Sequence, residues 1–321
     1  MHRFTLKLIV IVAITVINYV NCTPASAHLH PHSRNLEREE DGSFKPRDHN
    51  HLGDDGSHNV EFDHEAILGS SKEAEEYDTL PPEEAKKRLL VLVKKMDLNN
   101  DQHIDRNELK AWIIRSFKNL SEEDAEERFE DIDENQDGRI TWKEYLMDYT
   151  GSSEEEVGQL IDDDKETFNA ADLNKDGYLE HHEFVIFNRP EEHPETLAII
   201  LRHTLRDKDV NKDGFIDFQE FIGERGAEQN KEWILGEKER FSNEFDKNKD
   251  AHLDSGEILA WIAPSNEDIA EEEVDHLFAS SDDDVDNLLS FDEIIEHHEI
   301  FVGSEATDYG EHLHKIDHDE L

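Results

Sequence analysis

Six segments of twelve residues repeat one pattern of oxygen-bearing side chains, starting at Asp97, Asp133, Asp172, Asp209, Asp246 and Asp282. They read DLNNDQHIDRNE, DENQDGRITWKE, DLNKDGYLEHHE, DVNKDGFIDFQE, DKNKDAHLDSGE and DDDVDNLLSFDE. Position 1 is always Asp, position 3 Asn or Asp, position 5 Asp and position 12 Glu. Carboxylates gathered so closely repel one another unless a hard cation sits among them. One such match in an acidic chain can arise by chance; six at near-constant spacing cannot.

Ca²⁺ takes six to eight oxygens, and the loop of a calcium-binding helix–loop–helix unit, the EF-hand, supplies them in this order. Side chains serve at positions 1, 3 and 5, the backbone carbonyl at 7, often a water at 9, and a bidentate carboxylate at 12. The predicted set is Asp97, Asn99, Asp101, His103, Asp105 and Glu108 in the first loop, and Asp133, Asn135, Asp137, Arg139, Thr141 and Glu144 in the second. The third has Asp172, Asn174, Asp176, Tyr178, Glu180 and Glu183; the fourth has Asp209, Asn211, Asp213, Phe215, Asp217 and Glu220. The fifth has Asp246, Asn248, Asp250, His252, Asp254 and Glu257; the sixth has Asp282, Asp284, Asp286, Leu288, Ser290 and Glu293. At position 7 only the carbonyl counts, which is why His, Arg, Tyr, Phe and Leu all serve there. Up to six Ca²⁺ ions are expected.

The loop starts lie 36, 39, 37, 37 and 36 residues apart, room for an entering helix, the loop, an exiting helix and a link. Position 8 is apolar throughout (Ile104, Ile140, Leu179, Ile216, Leu253 and Leu289), where two loops form a short antiparallel bridge. The fold class predicted is therefore all-α: six helix–loop–helix units in three paired lobes, behind a disordered N-terminal arm. Pairing in chain order gives loops 1 and 2 within 63–150, 3 and 4 within 157–226, and 5 and 6 within 232–300. Links between lobes are expected near Thr150–Glu156 and Gly226–Glu232. Leu89, Leu92, Val93 and Met96, or Val274, Leu277 and Phe278, mark core faces of entering helices.

Residues 1–22 read as a secretory signal, with Arg3 and Lys7 before the apolar run Leu8–Val20, and cleavage after residue 22 or 27. That run is too short to favour membrane insertion. The single cysteine, Cys22, falls inside the signal, so the mature chain has no disulfide and no thiol nucleophile. Residues 23–62 are rich in His and acid, with few apolar groups, and read as the disordered arm. The tail, 301–321, ends in His318, Asp319, Glu320 and Leu321, a retrieval address read by a receptor of the endoplasmic reticulum (ER). The two ends together predict residence in the ER lumen, with the Golgi or secretion as the route of escape. Asn119-Leu120-Ser121 is an N-glycosylation sequon in that compartment, expected in a loop.

The formal charge is −48, and removing the signal makes it −50. Six Ca²⁺ ions would neutralise only 12 of those charges, so nucleic acid and anionic membranes are excluded as partners. No phosphate-cradling glycine loop, G-x-S-x-G or H-E-x-x-H is present, and no enzyme is predicted. Position 6 of the loop turns sharply and favours Gly. Gly138, Gly177 and Gly214 provide it, whereas Gln102, Ala251 and Asn287 do not, which ranks the loops they occupy lower in affinity.

Outside the loops, four stretches resemble calumenin and the reticulocalbins. They are Phe62-Asp63-His64-Glu65-Ala66-Ile67-Leu68-Gly69, Leu80-Pro81-Pro82-Glu83-Glu84, Glu232-Trp233-Ile234 and residues 301–310, FVGSEATDYG. The HDEL ending is more similar to the reticulocalbins. The resemblance implies weak calcium binding, a part in ER calcium handling, and regulation or chaperoning of secretory-pathway proteins. Two readings result: a luminal calcium buffer that also regulates clients, and a calcium-dependent binding module for one client or calcium-transport protein.

Overall fold

A computed structural model of the chain describes residues 60–150, 158–223, 226 and 229–304. The signal segment, nearly all of the arm, the link around 151–157 and the retrieval tail lie outside the described residues. Helices dominate: α1 (Val60–Leu68), α2 (Ser71–Asp78), α3 (Pro82–Met96), α4 (Arg106–Ile132), α5 (Trp142–Thr150), α6 (Gly158–Ala171) and α7 (His181–Asn188). After a 3-10 turn at Pro190–Glu192 come α8 (Pro194–Lys208), α9 (Phe218–Ile222) and α10 (Lys231–Arg240). A π-helical turn at Phe241–Phe245 leads to α11 (Ser255–Ile262), α12 (Asn266–Ser281), α13 (Phe291–Glu296) and α14 (His298–Phe301). Six two-residue strands sit at the loop centres: β1 (His103–Ile104), β2 (Ile140–Thr141), β3 (Tyr178–Leu179), β4 (Ile216–Asp217), β5 (His252–Leu253) and β6 (Leu289–Ser290).

The strands pair antiparallel, but not in chain order. Ile104 faces Leu289, Ile140 faces Leu179, and Ile216 faces Leu253. Loop 1 thus pairs with loop 6, loop 2 with loop 3, and loop 4 with loop 5, correcting the sequential pairing expected above. The cause is α4, the exiting helix of loop 1 and the entering helix of loop 2 in one run of 27 residues. It contains no Gly or Pro, starts on an Asp105 capping box, and continues through Asn119 and Ser121 without a break. At 1.5 Å per residue it separates the two loops by about 40 Å, beyond any bridge. Both predicted links consequently fall inside lobes rather than between them. The junctions between lobes are α4 itself, the Asn188–Pro194 turn and Ala263-Pro264-Ser265.

The 1/6 lobe has the largest core. α3 begins on Pro82 with Glu83 and Glu84 in its first turn and Lys94 and Lys95 in its last, signs that complement the helix dipole. Its buried stripe is Ala85, Leu89, Val93 and Met96, packed with Ile113 and Phe117 of α4 and Val274, Leu277 and Phe278 of α12. Two segments assigned above to the arm and the tail contribute as well. Phe62 on α1 and Phe301 and Val302 after α13 are buried in this core. Trp112 Nε1 donates to the Ile67 carbonyl at 2.8 Å, and Ser70 caps α2 while donating to Glu123 at 3.0 Å. Gly69, at φ +69°, makes the turn between α1 and α2, where a Cβ would lie 3.0 Å from Ser116 Cα.

An aromatic cluster fills the 2/3 lobe. Phe129 and Phe184, and Tyr145 and Phe187, meet edge to face at 5.5 and 5.0 Å, and Tyr145 Oη donates to buried Asp164 at 2.7 Å. The 4/5 lobe centres on Phe221, Phe241 and Trp261. Arg206 grips Asp163 through two bonds of 2.8 and 2.7 Å, joining α8 to α6 and so the 4/5 lobe to the 2/3 lobe.

Replacing Leu289, fully buried at the 1/6 bridge, should cost about 2–5 kcal/mol as Leu289→Ala. Amide NMR shifts should move at Ile104 in loop 1 and stay in place at Leu253 in loop 5; movement at Leu253 instead would refute the 1/6 pairing.

Candidate calcium sites

Each loop is shaped by backbone amides turned toward carboxylates. The position 1 Asp accepts from the amides of positions 5 and 6 in all six loops: Asp97 from Asp101 and Gln102, Asp172 from Asp176 and Gly177, Asp282 from Asp286 and Asn287, at 2.9–3.2 Å in these three. Asp133, Asp209 and Asp246 repeat the arrangement. At position 3, the side-chain oxygens of Asn99, Asn174, Asn211, Asn248 and Asp284 accept from the position 5 amide. Asn135 departs from this, donating through Nδ2 to Glu144 at 2.5 Å. At position 5, Asp101, Asp137, Asp176, Asp213, Asp250 and Asp286 each accept from the amide two residues on.

Position 12 does two things at once. Glu108, Glu183 and Glu220 each accept from the amides of positions 2 and 3 on one oxygen and of position 9 on the other. Glu257 and Glu293 follow with one fewer amide each, and Glu144 bonds to Thr141 through both its amide and its hydroxyl. Because position 12 is also the third residue of the exiting helix, this carboxylate closes a capping box with position 9. Asp105, Asp217, Asp254 and Ser290 are the caps. The pattern S/T/D-x-x-E closes five of the six loops in the sequence, with Glu180 in place of the S/T/D in the third.

The donor set fits a hard divalent ion. Glu183 is fully buried, and Asp97, Asp133, Asp172, Asp246, Glu108, Glu220 and Glu257 are all buried, with acceptor capacity beyond the amides that reach them. A buried carboxylate wants a counter-charge. Asp282, Asp284 and Glu293 place one oxygen each within 4.8 Å of one another, the span of oxygens around a single ion at 2.3–2.6 Å. Burial pushes the Glu293 carboxyl up, but the Ser290 hydroxyl and amide and the amides of Asp283 and Asp284 outweigh it and hold the group below its usual range. The position 7 side chains lie outside the sites: Tyr178 stacks under Arg139 across one bridge, and Phe215 meets His252 across another.

The turn itself is strained where Gly is missing. Gln102, Ala251 and Asn287 have φ of 67°, 68° and 64°, and Gly138, Gly177 and Gly214 take the same left-handed turn freely. Position 4 is left-handed as well, at Asn100, Gln136, Lys175, Lys212, Lys249 and Val285. For β-branched Val285, at φ 58°, that is a costly conformation, and attention to position 6 alone missed it. The sixth loop carries two strained residues, so its extra carboxylate, Asp284, works against a double handicap.

The predicted glycosylation site lies elsewhere. Asn119 is exposed in the middle of α4, not in a loop, and Ser121 is buried, donating to the Phe117 carbonyl and to Glu192.

Helix–loop–helix units paired through two-residue bridges, with oxygen-bearing side chains at positions 1, 3, 5 and 12, define a calcium-binding EF-hand protein. The EF-hand domain pair family matches residues 86–150 and 161–224, covering the first four loops. Reticulocalbin-2 of Crotalus adamanteus is 38% identical over 83% of this chain and 93% of its own length. The proteins of the same name from Mus musculus and Rattus norvegicus are 38% identical over 83% of this chain and 89% of theirs. The chain belongs to the reticulocalbin family.

Gln102→Gly and Ala251→Gly should each tighten their own loops about five- to thirtyfold, the worth of about 1–2 kcal/mol of relieved turn strain. Val285→Gly should tighten the sixth loop at least as much as Asn287→Gly. Glu144→Gln, Glu183→Gln or Glu220→Gln should remove a stronger site than Glu108→Gln or Glu257→Gln. Single-loop calcium titrations in which loops 1 or 5 prove tightest would show that turn strain does not set affinity.

Proposed function

We propose that this protein is a low-affinity calcium-binding protein of the ER lumen that buffers calcium and, in a calcium-dependent way, regulates or chaperones secretory-pathway proteins. The observation that carries the reading is the recurrence of one carboxylate-and-amide arrangement in six loops, three of them with a strained position 6. Residues 1–22 and the HDEL tail support the luminal address, and the HDEL receptor is the partner that address implies. We assign the ligand sets given above to all six loops, with the position 7 residues acting through their carbonyls. Asn119 is exposed and open to a glycan added before α4 forms, since the helix sequesters Ser121 afterwards. The alternative, a binding module for one client with little buffering, is favoured by an exposed apolar face on the 4/5 lobe.

Weak binding follows from the compartment, because a tight site would stay filled there and neither buffer nor signal. Calorimetric titration of the mature chain should give Kd values on the order of 10⁻⁴–10⁻³ M, the range of extracellular modules. Several submicromolar sites would sink the reading.

Metal removal should act unevenly. Among the described residues, 24 buried apolar residues form the 1/6 core, against 11 in the 2/3 lobe and 9 in the 4/5 lobe. Uncompensated carboxylates repel in all three, but only the 1/6 lobe has packing to spare. In chelator, hydrogen exchange should accelerate first in α5–α7 and α9–α11, with α3 and α12 protected longest. Equal exchange in chelator and excess calcium would contradict metal-dependent stability.

A further inference from the structure

Among the described residues, the 4/5 lobe leaves a larger share of its apolar set half-covered than either other lobe. Among the described residues of the 2/3 lobe, Trp142 and Val185 alone pack on the core while remaining partly exposed. The 4/5 core leaves Leu197, Leu201, Phe218, Trp233, Phe245 and Leu259, among others, in that half-covered state. α10, its fifth-loop entering helix, has no fully buried residue, and Leu235 on it is 61% exposed. A helix that hides no side chain completely leaves its lobe open on that side.

On its α8–α11 side the lobe has a defined groove. Leu197 of α8 and Leu259 and Ala263 at the end of α11 belong both to the lobe's apolar set and to the walls of a cavity of about 290 Å³. Pro264 lies between α11 and α12, and Ile269 of α12 lines the far side. The groove therefore lies at the junction of the 4/5 and 1/6 lobes. Asp268 and Glu272, one helical turn apart on α12 and both exposed, form its rim, and no Lys or Arg lines it. An apolar floor under a one-signed acidic rim selects its occupant by charge as well as by shape. The rim excludes acidic peptides and anionic lipid.

Resting on the client-binding part of the function proposed above, we infer that this groove binds an amphipathic helix of a partner protein, with apolar anchors on one face and Lys or Arg flanking them. A helix suits it better than an extended strand, because the bridging strands are already paired and the walls are three helix surfaces. Aromatic and aliphatic side chains here take the place of the Met-rich lining common in calcium sensors. The anchor enters between Leu197 and Leu259, and the basic flank meets Asp268 and Glu272.

The test uses the full mature chain in millimolar calcium at physiological salt, with a fluorescein-labelled fourteen-residue peptide, LKKLLKLLKKLLKL, read by anisotropy. Saturable one-to-one binding is expected. The double change Asp268→Lys with Glu272→Lys should weaken it about tenfold or more, because it sets like charge against the basic flank of the peptide. Ala260→Trp, at an exposed position on the groove wall, should weaken it similarly by filling the space. Glu126→Lys with Glu130→Lys makes the same charge change on the exposed side of α4 and should leave affinity within about twofold, as screened distant charges do. Equal weakening by both charge reversals would reveal diffuse attraction to an acidic surface and overturn the assignment. So would groove variants that altered self-association instead of peptide affinity, since a second copy would then be the occupant. Calcium calorimetry on the same variants separates the two proposals: unchanged calcium binding without peptide binding refutes the groove alone, and absent calcium binding refutes the wider function.

Discussion

α4 controls the architecture because it cannot bend. Its residues from Arg106 to Ile132 include no Gly or Pro, and its two ends belong to different lobes. Loop 1 is thereby carried away from loop 2 and left to find another partner, which is loop 6, near the other end of the described chain. The bridge Ile104–Leu289 and the packing of α12 on α4 then close the chain on itself. Ion pairs across that contact, such as Lys110–Glu271 at 2.7 Å, are exposed and contribute little beside the apolar core beneath. Residues 60–68 and 301–302 join this core because closure sets α1 against α4 and α14 against α1, α3 and α12.

A loop of clustered carboxylates needs internal compensation even before metal is considered. The amides provide it: every position 1 Asp is met by at least two of them, and position 12 is held by amides of the loop start, of position 9, or of both. This preorganises the oxygens toward one point, and it makes the exiting helix start where the ligand set ends. Metal affinity and helix capping thus share one glutamate, so changing it affects both the ion and the helix. The Glu→Gln changes preserve much of the cap and isolate the effect on the ion.

Stability and affinity are divided unequally among the lobes. Both loops of the 2/3 lobe have Gly at the turn, the 4/5 lobe has one Gly and one strained Ala251, and the 1/6 lobe has none. The lobe with the poorest turns also has the deepest core. It is suited to hold the chain closed when calcium is low, while the 2/3 lobe gains most from the ion. Between them the 4/5 lobe combines a small core with an apolar face, the combination expected of a surface made for a partner.

The loops and the helical class were legible in the sequence because calcium coordination imposes residue types at fixed offsets within twelve residues. The weak turns were legible too, since Gln102, Ala251 and Asn287 stand where the chain must take a left-handed conformation. Val285 needed the structure, because position 4 tolerates Asn or Lys in that conformation and only its β-branch makes it costly. Lobe pairing also needed the structure: every loop presents the same apolar position 8, so local pattern cannot choose among partners. What chooses is long-range geometry, the length of α4 and the prolines at the lobe junctions. Ligand chemistry is local and could be read along the chain, whereas the partner of each loop and the groove beside α12 depend on which distant helices pack together, and that was decided only by the tertiary fold.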